Sequence, residues 1–333
     1  MGSPSAPDPH EVSSALRRRL AGRFPGGVTD AEAPVTISGG FDFWVYGLRF
    51  AGTSLPDRWT APLVARIPPL AERFPLLERE SRLQAWVAEQ GYPAPPILEL
   101  VPPGEVLEFP VQVMERRPGT TMAQAMAAAP RRMFRLAAQL GAGQAALHRV
   151  PVPKWADPQS VIGNRLRLPR RLAASGSVPG LAEALERTER LLPRLEDGAP
   201  AICHGDFQPG NILVDAGRVS VIDWTDAGIG DRHGDIARTA WVFRFAAAIA
   251  RHRRQRRTLR ALAPVMSRAY LSAYRRRMSV DAARLRLWAP VHLLHAWAML
   301  AADEQGLSGP ARFRPGLAAW ARSEFWRSVK ELR

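Results

Sequence analysis

The sequence predicts an α+β protein with a small antiparallel sheet in its N-terminal part and a larger, mainly helical C-terminal part. Three observations carry this. Short β-like runs separated by Gly and Pro fill residues 35–114. From about Met122 long stretches show helical apolar spacing. One pattern of two short strands around a polar loop, residues 201–223, interrupts the helices.

In order, a first helix is expected over Glu11 to Phe24. Val35 to Ser38, Phe43 to Phe50 and Leu63 to Ile67 read as strands, with Gly39-Gly40 as a turn. Leu76 to Gln90 has Leu76, Leu83, Trp86 and Val87 on or near one face of a helix, ended by Gly91 and Pro93. Ile97 to Val101 and Val111 to Met114 are further strands. Helices are expected at Arg131 to Val150 and Val178 to Leu195. Between them lies a stretch with Pro and Arg that shows no clear period. After Asp235 the helices are Ile236–Ala250, Leu259–Met278, Val280–Ala301 and Arg312–Leu332. The division into lobes is placed at Arg117-Pro118-Gly119, giving an N-terminal lobe over residues 1–116 and a C-terminal lobe over 117–333.

The 333 residues are 46% hydrophobic, enough for sizeable cores and against general disorder. No apolar run approaches the roughly 20 residues of a membrane span. The start lacks a basic region followed by an apolar one, so a cytoplasmic protein is expected. Cys203 is the only cysteine, which excludes an internal disulfide and Cys-based zinc sites. His292 and His295 share a helix but lack a third ligand, so they and His148 read as structural. The formal charge is +15, nearly all arginine, because Lys154 and Lys330 are the only lysines. No nucleic-acid-binding signature accompanies the charge, so no nucleic-acid partner is expected. The cluster Arg251, Arg253, Arg254, Arg256 and Arg257 reads as a solvated helix end, with an anionic partner as the alternative.

The chemistry concentrates in Cys203-His204-Gly205-Asp206-Phe207-Gln208-Pro209-Gly210-Asn211, followed by the strands Ile212–Val214 and Val219–Ile222 and then Asp223. Phosphoryl transfer needs a carboxylate to take a hydroxyl proton and hard oxygen ligands for Mg²⁺. Asp206 can supply the first, Asn211 and Asp223 the second. The spacing of His204-Gly205-Asp206 to Asn211 resembles the catalytic loop of the aminoglycoside phosphotransferase and choline kinase group, where protein kinases have His-Arg-Asp. Ile222-Asp223-Trp224 resembles that group's metal-binding motif. Asp231 to Ile236 resembles its Asp-Pro-x-x-Asp-Leu pattern, with Arg232 where Pro is usual.

The resemblance implies a protein-kinase-like two-lobed fold and a small-molecule kinase. It implies Asp206 as catalytic, Asn211 and Asp223 as Mg²⁺ ligands, and His204 and Asp235 as supports of the loop. The N-terminal sheet is then the nucleotide lobe, for ATP or GTP. Ser38-Gly39-Gly40-Phe41-Asp42 looks like a degenerate phosphate-covering loop, or else a plain hairpin turn. Arg66 stands where the family's phosphate-contacting lysine is expected, and the swap is not automatically neutral. Glu80 is its expected partner, with Glu78 the alternative. Val113-Met114-Glu115-Arg116 resembles the hinge that binds the base, which brings in Met114 and Arg116. The absence of Ala-Pro-Glu after Asp223 speaks against a protein kinase.

The acceptor is expected to lie among the C-terminal helices. After Asp235 the chain offers only Asp281, Asp303, Glu304, Glu324 and Glu331 as carboxylates, against the needs of a polycationic aminoglycoside. The same region holds Trp241, Trp288, Trp297, Trp320 and Trp326, as core or as pocket lining. Ile222 to Ala227 is also similar to macrolide phosphotransferases. An antibiotic-resistance kinase, a housekeeping sugar or amino-alcohol kinase, and a catalytically silent nucleotide-binding protein remain open.

Overall fold

The computed structural model describes residues 5–37, 43–156, 160–196, 198–250, 252–307 and 312–332. Gly39, Gly40 and Arg251 lie outside them. The chain forms two compact units. One comprises Met1–Thr120 and Leu213–Thr225, the other Thr121–Ile212 and Asp226–Arg333. The hairpin that precedes Asp223 thus packs with the first unit, although it lies far along the chain.

In chain order the first unit holds α1 (Pro9–Arg23), β1 (Thr29–Asp30), β2 (Val35–Thr36), β3 (Trp44–Leu48), β4 (Phe50–Ala51), α2 (Asp57–Thr60), β5 (Leu63–Ile67), α3 (Phe74–Glu89), β6 (Ile97–Val101) and β7 (Val111–Glu115). The short β8 (Thr120–Thr121) stands at its boundary. α1 starts early because Asp8 accepts the His10 N–H and Pro9 fits the first turn. The main sheet is five-stranded, in the order β2-β3-β5-β7-β6, with every pair antiparallel. One face buries Val12, Leu16 and Leu20 of α1 together with Tyr46, Leu63, Ala65, Ile67, Val111 and Val113. Period-two alternation on β5 and β7 sends Arg66 and Gln112 away from that cluster, and the two face each other across the ladder.

The second unit holds α4 (Met122–Ala128), α5 (Met133–Leu147), α6 (Ser160–Ala174), α7 (Leu181–Glu189), α8 (Leu192–Glu196) and β9 (Pro200–Cys203). There follow β10 (Ile212–Asp215) and β11 (Arg218–Val221), the hairpin that joins the first unit, and then β12 (Gly228–Asp231). The helices α9 (Arg232–Ile249), α10 (Arg253–Arg275), α11 (Ala282–Glu304) and α12 (Leu317–Lys330) complete the second unit. α11 is its centre. Trp288, Val291, Leu294, Trp297, Ala298 and Leu300 are buried with Leu166 of α6, Leu181 of α7 and Phe325 of α12.

Three expectations need correction. Residues 160–174 form a helix, with Pro169 inside it. Val178 to Leu195 is two helices, not one. A further strand, Gly228-Ile229-Gly230-Asp231, pairs antiparallel with β9. Its glycines hid the β pattern; Gly230 lies so close to α6 that an added Cβ would be 3.0 Å from Val161. Among the described residues no helix is long and apolar enough to cross a membrane.

Candidate active site

In the first unit the site is built around Arg66. Its guanidinium forks: Nη1 donates to Gln112 Oε1 at 3.1 Å, and Nη2 to Asp223 Oδ1 at 3.1 Å and Thr225 Oγ1 at 2.7 Å. It also lies 4.1 Å from the centre of the Phe43 ring. Gln112 passes the connection on, donating from Nε2 to Ser81 Oγ at 2.7 Å, and Ser81 donates to the Leu77 carbonyl in α3. This corrects the expected Arg66–Glu80 pair. Among the described residues Arg66 reaches the helix through neutral Gln112 and Ser81, and Glu80 is buried without bonding to it. A planar fork with several donors can serve a neutral relay and a carboxylate at once, which a point charge does less well.

Asp223 follows β11 on a left-handed backbone, φ 63°. Such a conformation costs a non-glycine residue about 1–3 kcal/mol and needs its surroundings to hold it. Buried Trp224 supplies the anchor: its Nε1 donates to the Val221 carbonyl at 3.0 Å and its ring meets Tyr92 edge-on. The Val221 N–H bonds Pro93 O at 2.8 Å. Thr225 donates to Asp223 Oδ1 at 2.7 Å. Asp223 Oδ2 carries no hydrogen bond among the described residues and its side chain is 49% exposed. At the expected hinge, Met114 is buried against Gln84. The N–H groups of Glu115 and Arg116 are spent on Pro96 O and Pro62 O.

In the second unit β9 delivers the loop His204-Gly205-Asp206. Gly205 has φ 76°, and a Cβ there would be 2.3 Å from the Asp226 carbonyl oxygen, so only glycine fits. Asp235, on the first turn of α9, accepts the N–H of His204 at 3.0 Å and of Gly205 at 2.8 Å. His148 Nε2 lies 3.1 Å from the same carboxylate, and its Nδ1 is 2.7 Å from the Tyr274 hydroxyl. Burial alone pushes the Asp235 pKa up, but hydrogen bonding and charge from His148, with His204 behind, hold it well below the usual carboxylate range. His148, Cys203 and Asp235 lie close enough for a metal, yet these bonds already occupy the carboxylate and the imidazole.

Asp206 is held on both oxygens. Oδ1 accepts from Arg238 Nη2 at 2.7 Å; Oδ2 accepts from Gln208 Nε2 at 2.6 Å and Asn211 Nδ2 at 3.0 Å. Asn211 Nδ2 also reaches the Asp206 carbonyl at 3.0 Å. Its amide nitrogen is therefore committed to the loop, while its oxygen takes no hydrogen bond among the described residues. That oxygen and, in the first unit, Asp223 Oδ2 are each the kind of hard donor that Mg²⁺ takes. Behind the loop Arg165 donates to the Gly205 carbonyl and pairs with Asp226 at 3.1 Å. Burial and the Arg165 charge lower His295 to about 4.

Sequence reasoning missed Arg238, Arg165, Gln112, Gln208 and Thr225. Arg238 had a signal: it lies three residues after Asp235, on the same helix face. Arg165 had none, because Pro169 masks the period of its helix.

The chain matches the model of the phosphotransferase enzyme family, APH, over residues 36–288. It is 31% identical over 193 residues to an aminoglycoside 3'-phosphotransferase of Streptomyces fradiae, covering 54% of this chain and 69% of that protein. Among solved structures it resembles an aminoglycoside-3'-phosphotransferase of type VIII, with TM-score 0.55 and 26% identity over 84% of this chain and 97% of that one. A thermostable mutant of the aminoglycoside phosphotransferase APH(4)-Ia bound to ADP and hygromycin B matches with TM-score 0.60 and 16% identity over 95% and 98%. An amicoumacin kinase bound to AMP-PNP and Ca²⁺ matches with TM-score 0.60 and 14% identity over 97% and 95%. Fold and relatives define the class, a small-molecule phosphotransferase of kinase-like fold. The chain belongs to the phosphotransferase enzyme family.

Proposed function

We propose that the protein transfers the terminal phosphate of ATP or GTP to a hydroxyl of a small molecule, with Asp206 as the catalytic base. The observation that carries this is the hold on Asp206. Its loop backbone is pinned by Asp235 and its carboxylate is fixed by Asn211 and Gln208. A loose phosphoryl-transfer transition state asks the protein mainly for positioning, and a fixed carboxylate supplies it. Asp206 orients the acceptor hydroxyl and takes its proton. Arg66 faces the nucleotide phosphates, its charge supported by Gln112. Asn211 and Asp223 are the residues that would hold Mg²⁺, which supplies charge neutralisation on the phosphates when bound. Gly39, Gly40, Met114 and Arg116 are proposed to border the nucleotide. Two solved structures of similar fold hold ADP with hygromycin B and AMP-PNP with Ami, which supports trying such compounds first as acceptors.

The test is Mg²⁺-dependent consumption of ATP and GTP by the purified protein with aminoglycosides, macrolides, amino alcohols and sugars. Turnover with one of these acceptors supports the reading. Failure to bind either nucleotide contradicts it.

A further inference from the structure

Arg238 links two features of the second unit. On one side it pairs with Asp206 Oδ1 at 2.7 Å. On the other its guanidinium lies 5.5 Å from the Trp241 ring centre. From Trp241 an aromatic ladder continues. Phe245 stacks on Trp241 with centroids 4.6 Å apart, and Trp320 of α12 stacks on both, at 6.3 and 6.2 Å. Residues 238, 241 and 245 are spaced i, i+3, i+7, so they share one face of α9. All three rings pack on one side against the helical core and remain only partly buried. Arg238 Nη1 is shielded from solvent and makes no hydrogen bond among the described residues, leaving an unmet donor beside the candidate base.

Asp226 and most carboxylates of the helices after Asp235 are already committed. Asp226 is paired with Arg165 and Asp303 with Arg312; Glu324 lies between Arg244 and Arg327. Asp281 and Glu304 cap helices. An amine brought next to Asp206 would meet a guanidinium and find no uncommitted carboxylate among these. Like-charge juxtaposition is how a site rejects a wrong partner. A stacked aromatic surface is how it accepts an apolar ring.

We propose that Arg238 selects the acceptor: it fixes Asp206 and, with the ladder Trp241–Phe245–Trp320, favours an uncharged or anionic alcohol carrying an apolar ring over a polycation. This rests on the phosphotransferase reading of Asp206. Arg238 presents the carboxylate to the hydroxyl and places a fixed positive charge beside it. The rings carry the apolar part.

The experiment measures binding of three probes by calorimetry: phenyl β-D-glucoside, methyl β-D-glucoside and hygromycin B. The wild type is expected to bind the phenyl glucoside about tenfold tighter than either of the others. Trp320→Ala should erase the advantage of phenyl over methyl. Arg238→Met should narrow the gap to hygromycin B about tenfold, and Arg238→Lys should restore it. A merely structural Arg238 would change thermal stability and leave the ranking intact, which would overturn the proposal. So would tighter binding of hygromycin B by the wild type, or no preference for the phenyl glucoside. A parallel nucleotide titration separates the two readings. Nucleotide binding with the wrong probe ranking overturns acceptor selection alone. The expected ranking without nucleotide binding overturns the phosphotransferase reading alone.

Discussion

In the first unit Asp223 is 49% exposed, sits on a left-handed backbone and has one oxygen shared by Arg66 and Thr225. In the second unit Asp206 is 22% exposed, with both oxygens bonded, on a loop whose backbone is tied to a fully buried Asp235. The carboxylate proposed to meet a metal and phosphates is loosely held and keeps an oxygen free. The carboxylate proposed to take a proton is fixed in advance. That contrast follows from the chemistry. A metal brings its own strong field and can displace an arginine from a partly exposed carboxylate. A base in a loose transition state contributes through position, so its freedom must be removed beforehand.

The largest expected effect falls on the fixed half. Asp206→Asn should lower turnover about a thousandfold while nucleotide affinity stays within a few-fold, read from kcat and a nucleotide titration. A larger loss of nucleotide affinity than of kcat would break the contrast.

Asp235→Asn comes next. It removes a buried charge that holds two backbone N–H groups and faces His148, and should cost about 3 kcal/mol in urea unfolding. The sign with pH is also set. The folded pKa of Asp235 lies below its unfolded value of about 4, so its stabilisation is complete above that pH. It is lost as pH falls further, and the Asn variant should show a shallower acid loss in unfolding midpoints.

The looser half should tolerate more. Arg66→Lys should raise the nucleotide KM about tenfold with a smaller change in kcat, because one ammonium cannot fork between Gln112 and Asp223. An equal loss in kcat would instead place Arg66 at the transition state.

The smallest effect belongs to His295. Its folded pKa of about 4 lies below the ordinary value of 6.5. The unfolded chain therefore binds the proton first, and this contribution to stability is lost as pH falls from about 6.5 towards about 4. His295→Gln should flatten the stability curve in that window and change little at neutral pH.

Legibility of the sequence followed the same divide between local pattern and long-range partner. Leu63–Ile67 and Ile97–Val101 were read to the residue, because alternation and flanking Pro and Gly are local signals. Asp206, Asn211 and Asp235 stood out as a spaced set, and the structure bonds Asn211 to Asp206 and Asp235 to the loop. The helix around Pro169 was invisible because its period is broken by a residue that tertiary packing tolerates. The strand Gly228–Asp231 carries two glycines and so lacks β propensity. The partner of Arg66 is hidden for a different reason. A charge invites a charged partner, yet the ladder placed neutral Gln112 directly across from it. Arg238 was overlooked because an arginine-rich chain makes any single arginine look like surface.

Mass analysis of the acceptor after incubation with Mg²⁺ and nucleotide, for the wild type and Asp206→Asn in parallel, tests Asp206 as the base. The acceptor should become heavier by one phosphate with the wild type and essentially unchanged with the variant. Free phosphate with an unmodified acceptor, or equal product from both proteins, would contradict that role.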